Sequence, residues 1–596
     1  MRLYYNTQIY DMIKDFDPES FGFTDVDRER VLLNPNLKER LNMLLDFGKD
    51  IIAEPIYATP FSAFKLFSEN GDRSVYESSE TIGYFCHRKH LMIFGLLAWL
   101  YPEDKRYLVK CENAIWAILD EYTWCLPAHL FDSASRLECG QYTVDLFAAE
   151  TGSAISEILN LLGDRISPLV RMRAEYVINE RIISRATDSF GWNTTMTNNW
   201  ASVCAGNVLL CAAYQCRDKH RLASIISTCM RAGDHFLRAF APDGACLEGI
   251  SYWGYGVSGF VLLSETLKAL TNGKINLLTD EKVKNIALFH KKCVFPFGRS
   301  VSFSDGGSRG GQRSLGLTSL LASYYPEIEL FDATCQASAI PRNNTFDFCR
   351  NLREFVWAIS YDPAERKPEY GTYILSDAKW YISTSENLVS IAAKAGHNAE
   401  SHNHNDVGSF QLFKNGEQLL LDFGAGDYSG SYFSGKRYSE HYNCCSRGHS
   451  VPIINGTYQH EGGQYAAKNT VITEDGLCAD IARAYTVDTL TSLVRDIGFD
   501  RASGKVTLTD TYEFTEAPES VTERFITGAE PIIEDGVATV TVGNESVKIL
   551  FDPEILAAEA GELSRVNSNG STSRTSYLDL KVKEPKAQMK INITVC

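Results

Sequence analysis

The chain lacks the features that mark a membrane or secreted protein. Its 596 residues contain no apolar run of about 18 residues, the length that a transmembrane helix needs. The opening MRLYYNTQIYDMIKDFDPES has no apolar core of a signal peptide. No Cys-x-x-Cys motif occurs among the 16 cysteines. We therefore expect a cytoplasmic protein with free thiols and no membrane partner, or a periplasmic or secreted one if an export signal was removed.

Positive charge is also scarce. The formal net charge is -17 and the pI is near 5.3, which argues against a nucleic-acid partner. A local basic cleft can still bind an anion in an acidic protein. Hydrophobic residues make up 44% and charged residues 22% of the chain, values of a globular protein, so general disorder is excluded.

The hydrophobic pattern changes near residue 365. Before it, apolar residues recur at intervals of three and four, which predicts helices in an irregular ring or bundle over residues 1–365. After it, alternating runs predict strands over 366–516, and 517–596 is either a small β subdomain or a continuation of the sheets. The predicted helices are 90–101, 107–122, 144–162, 168–184, 200–215, 222–240 and 257–270.

Two loops are predicted from composition. The polar stretch 362–370 is expected to separate the helical and strand-rich parts. The Gly- and Ser-rich stretch 297–317 lacks the Gly-x-x-x-x-Gly-Lys-Ser/Thr phosphate motif, so we predict a long surface or cleft loop there.

The densest group of chemically active residues is HNAESHNHND at 397–406. Imidazoles and carboxylates are suited to zinc. His402, His404 and Asp406 alternate, so an extended backbone would place all three on one face. Val407 stands where the motif His-x-His-x-Asp-His of two-metal hydrolases has a histidine, and the chain lacks βαβ alternation, so that class is not predicted.

Asp422 and His449 are two further candidate ligands. In LFKNGEQLLL, Asn-Gly predicts a type I′ hairpin turn. With that turn, Asp422 pairs with Ser409 and lies on the face opposite His404. A shared metal site therefore needs a bulge or loop between His404 and Ser409, for which Gly408 is suited, or a different turn register.

Five stretches of the chain carry a family resemblance. The sequence resembles the heparinase II/III-like polysaccharide lyases, which include alginate and oligoalginate lyases, from about residue 80 to 460. The resemblance implies an α+β multidomain fold, in which an N-terminal incomplete (α/α) toroid is followed by a C-terminal antiparallel β-sandwich. The stretches are ESHNHNDVGSFQLFKNGEQLLLDFGAGDY, SRGHSVPIINGTYQ, DLFAAETG, NNWASVCAGN and DGACLEGISYWGYG.

The resemblance implies β-elimination on an anionic, uronic-acid-containing oligo- or polysaccharide. A base removes the C5 proton next to the carboxylate, the C4 oxygen departs, and a 4,5-unsaturated uronate remains. A proton beside a carboxylate anion is very weakly acidic. The enzyme must therefore stabilise the dianion that develops, and it needs a base and an acid within hydrogen-bond reach of C5 and O4.

The resemblance also assigns catalytic roles. Asn199 matches the residue that faces the substrate carboxylate, although it could instead cap the helix that begins near Trp200. His402 matches the catalytic histidine of the β-domain. Tyr252 or Tyr255 matches the base or acid, with an aromatic core stripe as the alternative, and Tyr438 lies where some relatives place a second cleft tyrosine.

His404, Asp422 and His449 match the zinc ligands of the family. In such relatives the Zn2+ ion lies within the β-domain and organises loops at the cleft, so the implied role is structural. Asp406 then becomes a residue outside the ligand set or a turn former.

Candidate substrate-binding residues complete the set, and each has a packing or solvated role as its alternative. Aromatic faces stack on sugar rings, and His, Gln or Arg can bond hydroxyls and carboxylates. These candidates are Trp124, His129, Gln141, Trp200 and Arg437.

Two other functions fit parts of the pattern. A glycoside hydrolase on a helical toroid would need two carboxylates flanking the scissile bond. The other candidate is a non-catalytic glycan-binding protein with the same fold. The sequence leaves open the oligomeric state, a homodimer included, and the particular glycan. The carboxylates available for hydrolysis are Asp145, Glu150, Asp243 and Glu248.

Overall fold

The computed structural model describes residues 1–70, 81–130, 140–309, 314–328, 346–360, 370–426, 432, 434–566 and 572–596. The described chain is helical up to residue 360, apart from a small β ribbon. The predicted boundary stretch 362–370 lies outside these residues except for its last position. The helices are α1 (Asn6–Ile13), α2 (Asp25–Leu33), α3 (Lys38–Ile51), α4 (Phe61–Asn70), α5 (Tyr84–Leu100), α6 (Lys105–Asp120), α7 (Leu146–Leu162), α8 (Pro168–Ile178), α9 (Gly191–Thr194), α10 (Asn199–Gln215), α11 (Lys219–Arg238), α12 (Ile250–Leu270), α13 (Glu281–Lys292), α14 (Leu315–Tyr324), α15 (Phe348–Val356) and α16 (Arg437–Glu440).

All seven predicted helices are present. The largest difference is at α12, which begins at Ile250, seven positions before the predicted start. Its first turns, ISYWGYG, carry glycines and aromatics in place of the apolar three-and-four spacing, so periodicity alone does not find them. This early start places Tyr252 and Tyr255 on the helix.

Helices α10 and α12 approach unusually closely. A Cβ atom built on Gly206 would lie 2.3 Å from the carbonyl oxygen of Gly259, so the two helix backbones contact each other directly. Nearer the start of both helices, a Cβ on Gly256 would lie 3.2 Å from the Cβ of Asn199. These glycines bring the first turns of α10 and α12 together, where both helices face the sheets.

The second part of the chain consists of two antiparallel sheets that pack face to face over a common apolar core. One sheet has the order β11-β12-β13-β14-β21-β18-β17-β16 and the other β19-β20-β15-β8-β7-β5-β4-β3, with β9 beside β15. The strands are β1 (Val294–Phe295), β2 (Arg299–Ser300), β3 (Gly371–Leu375), β4 (Trp380–Thr384), β5 (Val389–Lys394), β6 (His397–Asn398), β7 (Phe410–Lys414), β8 (Glu417–Leu420), β9 (Ile453–Ile454), β10 (Gly462–Ala466), β11 (Lys468–Thr473), β12 (Gly476–Asp480), β13 (Leu490–Asp500), β14 (Lys505–Phe514), β15 (Val521–Thr527), β16 (Ile532–Glu534), β17 (Val537–Val542), β18 (Glu545–Leu550), β19 (Leu556–Val566), β20 (Thr572–Val582) and β21 (Gln588–Val595).

Strands after residue 517 belong to both sheets. β15, β19 and β20 join the sheet that contains β8, and β21 pairs with β14 in the other sheet. Of the two arrangements predicted for 517–596, the chain therefore adopts a continuation of the sandwich.

A fully buried ion cluster lies inside the sandwich. Arg495 bonds Asp510 at 2.6 Å and Glu523 at 2.9 Å. The same guanidinium donates to the carbonyl oxygens of Gly408 at 3.1 Å and Ser450 at 2.9 Å. Because these carbonyls belong to the loops after His404 and His449, the cluster fixes the base of both loops.

The predicted hairpin is present, with Asn415 at φ 47° and Gly416 at φ 82° between β7 and β8. The extended backbone predicted for the His402–Asp406 segment is wrong. The segment forms turns before β7, with His402 at φ 54° and Gly408 at φ 88°. Gly408 breaks the chain between His404 and Ser409. The pairing of β7 with β8 also shifts by one residue between Leu412 and Phe413, so the predicted pairing of Asp422 with Ser409 is not formed.

Two further observations concern predictions from composition. The described cysteines are all free thiols. None of the helices in the described ranges combines the length and the hydrophobicity needed to cross a membrane.

Candidate active site and metal centre

A cavity of about 240 Å³ lies between the helices and the sandwich. Asn199 and Tyr252 line it from the first turns of α10 and α12. Ser401 and His397 line it from the sheet side, and Glu248 lies between them, accepting a hydrogen bond of 2.8 Å from Ser401. The cavity is thus shared by the two parts of the chain.

Asn199 does not cap its helix. The N-cap is the preceding Asn198, whose side-chain oxygen accepts a hydrogen bond from the backbone N–H of Trp200 at 3.2 Å. The alternative reading of Asn199 as a cap is therefore wrong, and its amide is available on the cavity wall.

Tyr252 and His402 meet across the two parts of the chain. Their ring centroids lie 4.3 Å apart with an interplanar angle of 33°. Tyr255, three positions further along α12, points elsewhere: its hydroxyl donates to Glu150 at 2.8 Å inside the toroid. Burial raises the pKa of both Tyr255 and Glu150 well above their ordinary values. The two candidate tyrosines therefore occupy different sites, and Tyr252 is the one beside His402.

His402 is held by a carboxylate that the sequence did not single out. Asp305 Oδ2 lies 2.6 Å from His402 Nδ1, and Asp305 Oδ1 lies 3.1 Å from His404 Nε2. Burial opposes the charge of Asp305, but hydrogen bonds from both histidines and the charge of Arg437 hold its pKa far below the ordinary value. Asp305 belongs to the predicted Gly/Ser-rich loop, and its only sequence signal is a single acidic residue within that loop.

Arg437 and Tyr438 lie behind the same loop. Arg437 is 8% exposed and donates to Asp305 Oδ1 at 3.0 Å and to the carbonyl oxygen of His402 at 3.1 Å. It is therefore a buried anchor rather than a solvated charge. The amide of Asn403 donates to the Tyr438 hydroxyl at 3.5 Å, and burial raises the pKa of Tyr438.

The three predicted metal ligands converge. One ligand atom each of His404, Asp422 and His449 lies within 4.8 Å of the others, and all three side chains are buried. His404 Nδ1 has no hydrogen-bond partner among the described residues, and His449 Nδ1 and Asp422 Oδ2 face each other at 3.2 Å without bonding another described group. Leaving buried polar atoms without a hydrogen bond costs about 1–3 kcal/mol each, so three ligand atoms that face one another in this way fit a bound cation.

The remaining polar atoms of these residues are satisfied. His404 Nε2 bonds Asp305 Oδ1, and His449 Nε2 lies 2.9 Å from the carbonyl oxygen of Asn443. The backbone N–H of Gly424 donates to Asp422 Oδ1 at 3.1 Å. Metal-binding histidines commonly use their second nitrogen in this way. Two imidazoles and a carboxylate are also a donor set that zinc accepts.

Asp406 stands outside this group. It lies 2.8 Å from the ammonium of Lys394, which is fully buried and also bonds Glu400 at 3.1 Å. The structure thus gives Asp406 the alternative role, a residue that supports the loop.

The toroid candidates for sugar binding lie in different surroundings. Trp124 is 1% exposed, and its indole N–H donates to the carbonyl oxygen of Ile118. Trp124 therefore packs in the toroid core and is not part of the proposed site. His129 bonds Asp145 at 2.6 Å and its ring lies 4.6 Å from that of Trp200.

Gln141 is half-buried on the 3-10 turn Gly140–Tyr142. It neighbours the segment 131–139, which lies outside the described residues.

The four carboxylates considered for hydrolysis do not pair with one another in the cavity. Asp145 caps α7 through the N–H of Ala148. Glu150 is bonded by Tyr255, and Asp243 accepts from the backbone N–H groups of residues 377 and 378. Among the four candidates, Glu248 alone lines the cavity.

Comparisons with known proteins agree with this arrangement. Residues 366–571 match the family described as Heparinase II/III-like, C-terminal. This match over the C-terminal part of the chain confirms the predicted resemblance. No curated protein sequence matches the chain.

Solved structures share the fold at low identity. Heparinase III has a TM-score of 0.63 at 11% identity, covering 99% of this chain and 88% of that chain. The heparan sulfate lyase HepC of Pedobacter heparinus has a TM-score of 0.58 at 14% identity, covering 86% and 75%. The chondroitin AC lyase of Streptomyces coelicolor A3 has a TM-score of 0.56 at 10% identity, covering 96% and 82%. The predicted toroid followed by a β-sandwich is confirmed.

Proposed function

We propose that this protein is a polysaccharide lyase that cleaves an anionic, uronic-acid-containing glycan by β-elimination. The observation that carries the proposal is that Asn199 and Tyr252 line one cavity between the toroid and the sandwich, and that the ring of His402 lies 4.3 Å from the ring of Tyr252. The family match of the sheet part and the fold shared with glycosaminoglycan lyases support the same class of reaction.

The amide of Asn199 and the imidazole of His402 are the groups that we assign to the uronate carboxylate. As the C5 proton leaves, negative charge moves onto that carboxylate, and fixed donors stabilise it most in the transition state. Arg437 donates to the carbonyl of His402 and adds positive charge behind the loop.

We assign Tyr252 to proton transfer. Its phenolate removes the proton from C5, the C5–H electron pair forms the C4=C5 double bond, and the C4–O4 bond breaks. The leaving O4 takes a proton from the phenol of Tyr252 or from a second acid, for which Tyr438 is the candidate. A phenol has an ordinary pKa near 10, so the base form needs nearby positive charge or hydrogen-bond donors.

We assign a structural zinc ion to His404, Asp422 and His449. These three side chains would hold the ion through His404 Nδ1, Asp422 Oδ2 and His449 Nδ1, and the ion would supply a positive charge opposite Asp422. These residues come from three separate loops, so binding ties together the backbone that carries His402. No step of the elimination is assigned to the ion.

The test is an absorbance assay. The purified protein is incubated with a panel of uronate oligosaccharides, and the conjugated 4,5-unsaturated product is followed in the ultraviolet. We expect absorbance with at least one uronate and none with His402→Ala. Cleavage that incorporates solvent oxygen from 18O-labelled water, without an absorbing product, would establish a hydrolase instead.

A further inference from the structure

We propose, on the basis of the lyase function given above, that the cavity binds a sugar without a sulfate ester and that Glu248 determines this specificity. The substrate class is then an unsulfated uronate glycan. The charge and the polarity of the cavity walls support this selection, and no proton-transfer step enters it.

The negative charge of the cavity comes from Glu248. Among the described residues that line its volume of about 240 Å³, none is a lysine or an arginine, and two are acidic, Glu248 and Glu400. Glu400 is buried and lies 3.1 Å from the ammonium of Lys394, with which it forms an ion pair. Within the described part of the chain no cation pairs with Glu248, so its charge acts on whatever enters the cavity.

Glu248 is held where the two parts of the chain meet. The hydroxyl of Ser401 donates to Glu248 Oε1 at 2.8 Å, and the glutamate is half-buried. Glu248 also precedes Gly249, the N-cap of α12. Its charge therefore offsets the positive end of that helix, which leaves this end less attractive to an anion of the substrate.

His397 adds no positive charge on the sheet side of the cavity. Its Nδ1 accepts a hydrogen bond of 3.1 Å from the backbone N–H of Ala399. A ring nitrogen that accepts a hydrogen bond carries no proton, so this imidazole is neutral. The described polar groups on the cavity walls are therefore hydrogen-bonding groups rather than counter-charges for an anion.

The base of the cavity is apolar. Phe236 and Phe240, at the end of α11, line it together with Ala245 and Leu247 from the loop before α12. Burying a charged group against such a surface without a counter-charge is unfavourable. The C–H faces of a sugar ring can pack there instead, while its hydroxyls bond the amide and hydroxyl groups at the rim.

This arrangement suits a sugar with a single anionic group, the uronate carboxylate. Asn199 lies in the first turn of α10, where the positive end of the helix favours one anion. A sulfate ester on the same sugar would face the carboxylate of Glu248 or the apolar base. Proteins bind such oxyanions with arginine and lysine, which the described lining does not offer.

The experiment compares unsulfated and O-sulfated oligosaccharides of the same uronate backbone and the same length. The proteins are wild type, Glu248→Gln and Glu103→Gln. The glutamine removes the charge and keeps an oxygen that can accept from Ser401, and Glu103 is an exposed carboxylate between α5 and α6 that controls for the change in net charge. Ultraviolet absorbance gives kcat and KM, and calorimetry at fixed ionic strength gives Kd in the His402→Ala background.

Wild type is expected to favour the unsulfated form roughly 10- to 100-fold in kcat/KM, the size of a like-charge repulsion in a partly buried site. Most of this preference should appear in KM and Kd, because the repulsion already acts on the bound ground state. Glu248→Gln should lower the preference by roughly tenfold. Glu103→Gln should keep it within about twofold of wild type, because an exposed charge far from the ligand is screened.

Two results would overturn the proposal: wild type that cleaves the sulfated form as well as the unsulfated one or better, or an unchanged preference in Glu248→Gln, which would assign the selection to shape. If Glu248→Gln does not fold, the wild-type comparison decides. Absence of cleavage of both forms would refute the proposed function, while the Kd values would still judge the selection. Tighter binding of the unsulfated form supports it, and equal binding, tighter binding of the sulfated form or binding of neither contradicts it.

Discussion

The two walls of the cavity are built by different means. On the toroid side, Asn199 and Tyr252 stand in the first turns of helices whose remaining turns are packed in an apolar core. On the sheet side, the cavity-lining Ser401 precedes His402, which stands on a turn with positive φ and is held by Asp305 and Arg437. Hydrophobic packing positions the toroid side, here called the helical wall. Buried polar bonds position the sheet side, here called the loop wall.

This difference predicts which wall is more sensitive to the loss of a single polar group. A helix that is packed along its length tolerates loss of a single polar atom near its end. A loop held by a few hydrogen bonds and ion pairs does not, because each lost partner leaves another buried charge or donor unpaired. Stability and activity should therefore separate on the helical wall and move together on the loop wall.

The largest expected effect tests that separation with the two tyrosines of α12. Tyr252→Phe should lower kcat by about 10²–10⁴-fold, because it removes a proton-transfer group. Its Tm should fall less than that of Tyr255→Phe, because Tyr252 is only half-buried. Tyr255→Phe is the matched control and should cost about 1–2 kcal/mol of stability through Glu150, with kcat within tenfold. Steady-state kinetics and thermal unfolding measure both, and the reverse pattern would reject Tyr252 as the acid or base.

The second prediction concerns the support beneath the loop wall. Arg495→Met should destabilise the protein by about 3–5 kcal/mol, because Asp510 and Glu523 lose their buried counter-charge. Zinc affinity should fall as well, since the guanidinium fixes the Gly408 and Ser450 carbonyls. Denaturant unfolding and a zinc competition assay measure the two effects.

The control for that variant is Arg574→Met, which breaks an exposed ion pair with Glu562. Exposed pairs contribute little to stability, so no measurable change is expected. An Arg495→Met protein that unfolds at the wild-type denaturant midpoint would show that the cluster does not stabilise the loop wall.

Third, removal of the metal should loosen the loop wall and leave the helical wall intact. With free zinc at roughly 100 times its Kd, binding contributes about 2.7 kcal/mol. A chelator should lower Tm and activity together, and added zinc should restore both. His404→Ala should not respond to either treatment, and an unchanged Tm of the wild-type protein after chelation would refute the metal site.

The smallest effect is expected from two adjacent asparagines. Asn198→Ala should cost about 1 kcal/mol of stability, since it removes the cap of α10, and should keep most of the activity. Asn199→Ala should lower kcat and leave the stability of the protein unchanged. If both substitutions lower Tm equally and leave kcat unchanged, Asn199 has no role in binding the carboxylate.

Much of the helical wall could be predicted from the sequence. Apolar spacing indicates the helices, and the family resemblance indicates Asn199 and the tyrosines. Periodicity could not show which tyrosine faces the sheets, because Tyr252 and Tyr255 are close in sequence and diverge only through their tertiary partners, His402 and Glu150. The N-cap of α10 is Asn198, one residue before the cap position that the sequence suggested.

Less of the loop wall could be predicted from the sequence. The ligand set His404, Asp422 and His449 could be proposed from the family resemblance, but the extended backbone expected through His402 was wrong. Asp305 was missed because its partners lie 97 and 99 positions away along the chain. No periodic pattern reports such long-range polar contacts.

The contact between Tyr252 and His402 has a consequence for turnover. One ring is carried by a helix layer and the other by a sheet layer, so any relative rotation of the two layers changes the spacing of the reacting groups directly. A glycan bound between the two layers can contact Asn199, Tyr252 and His402 together only while the layers remain packed against each other.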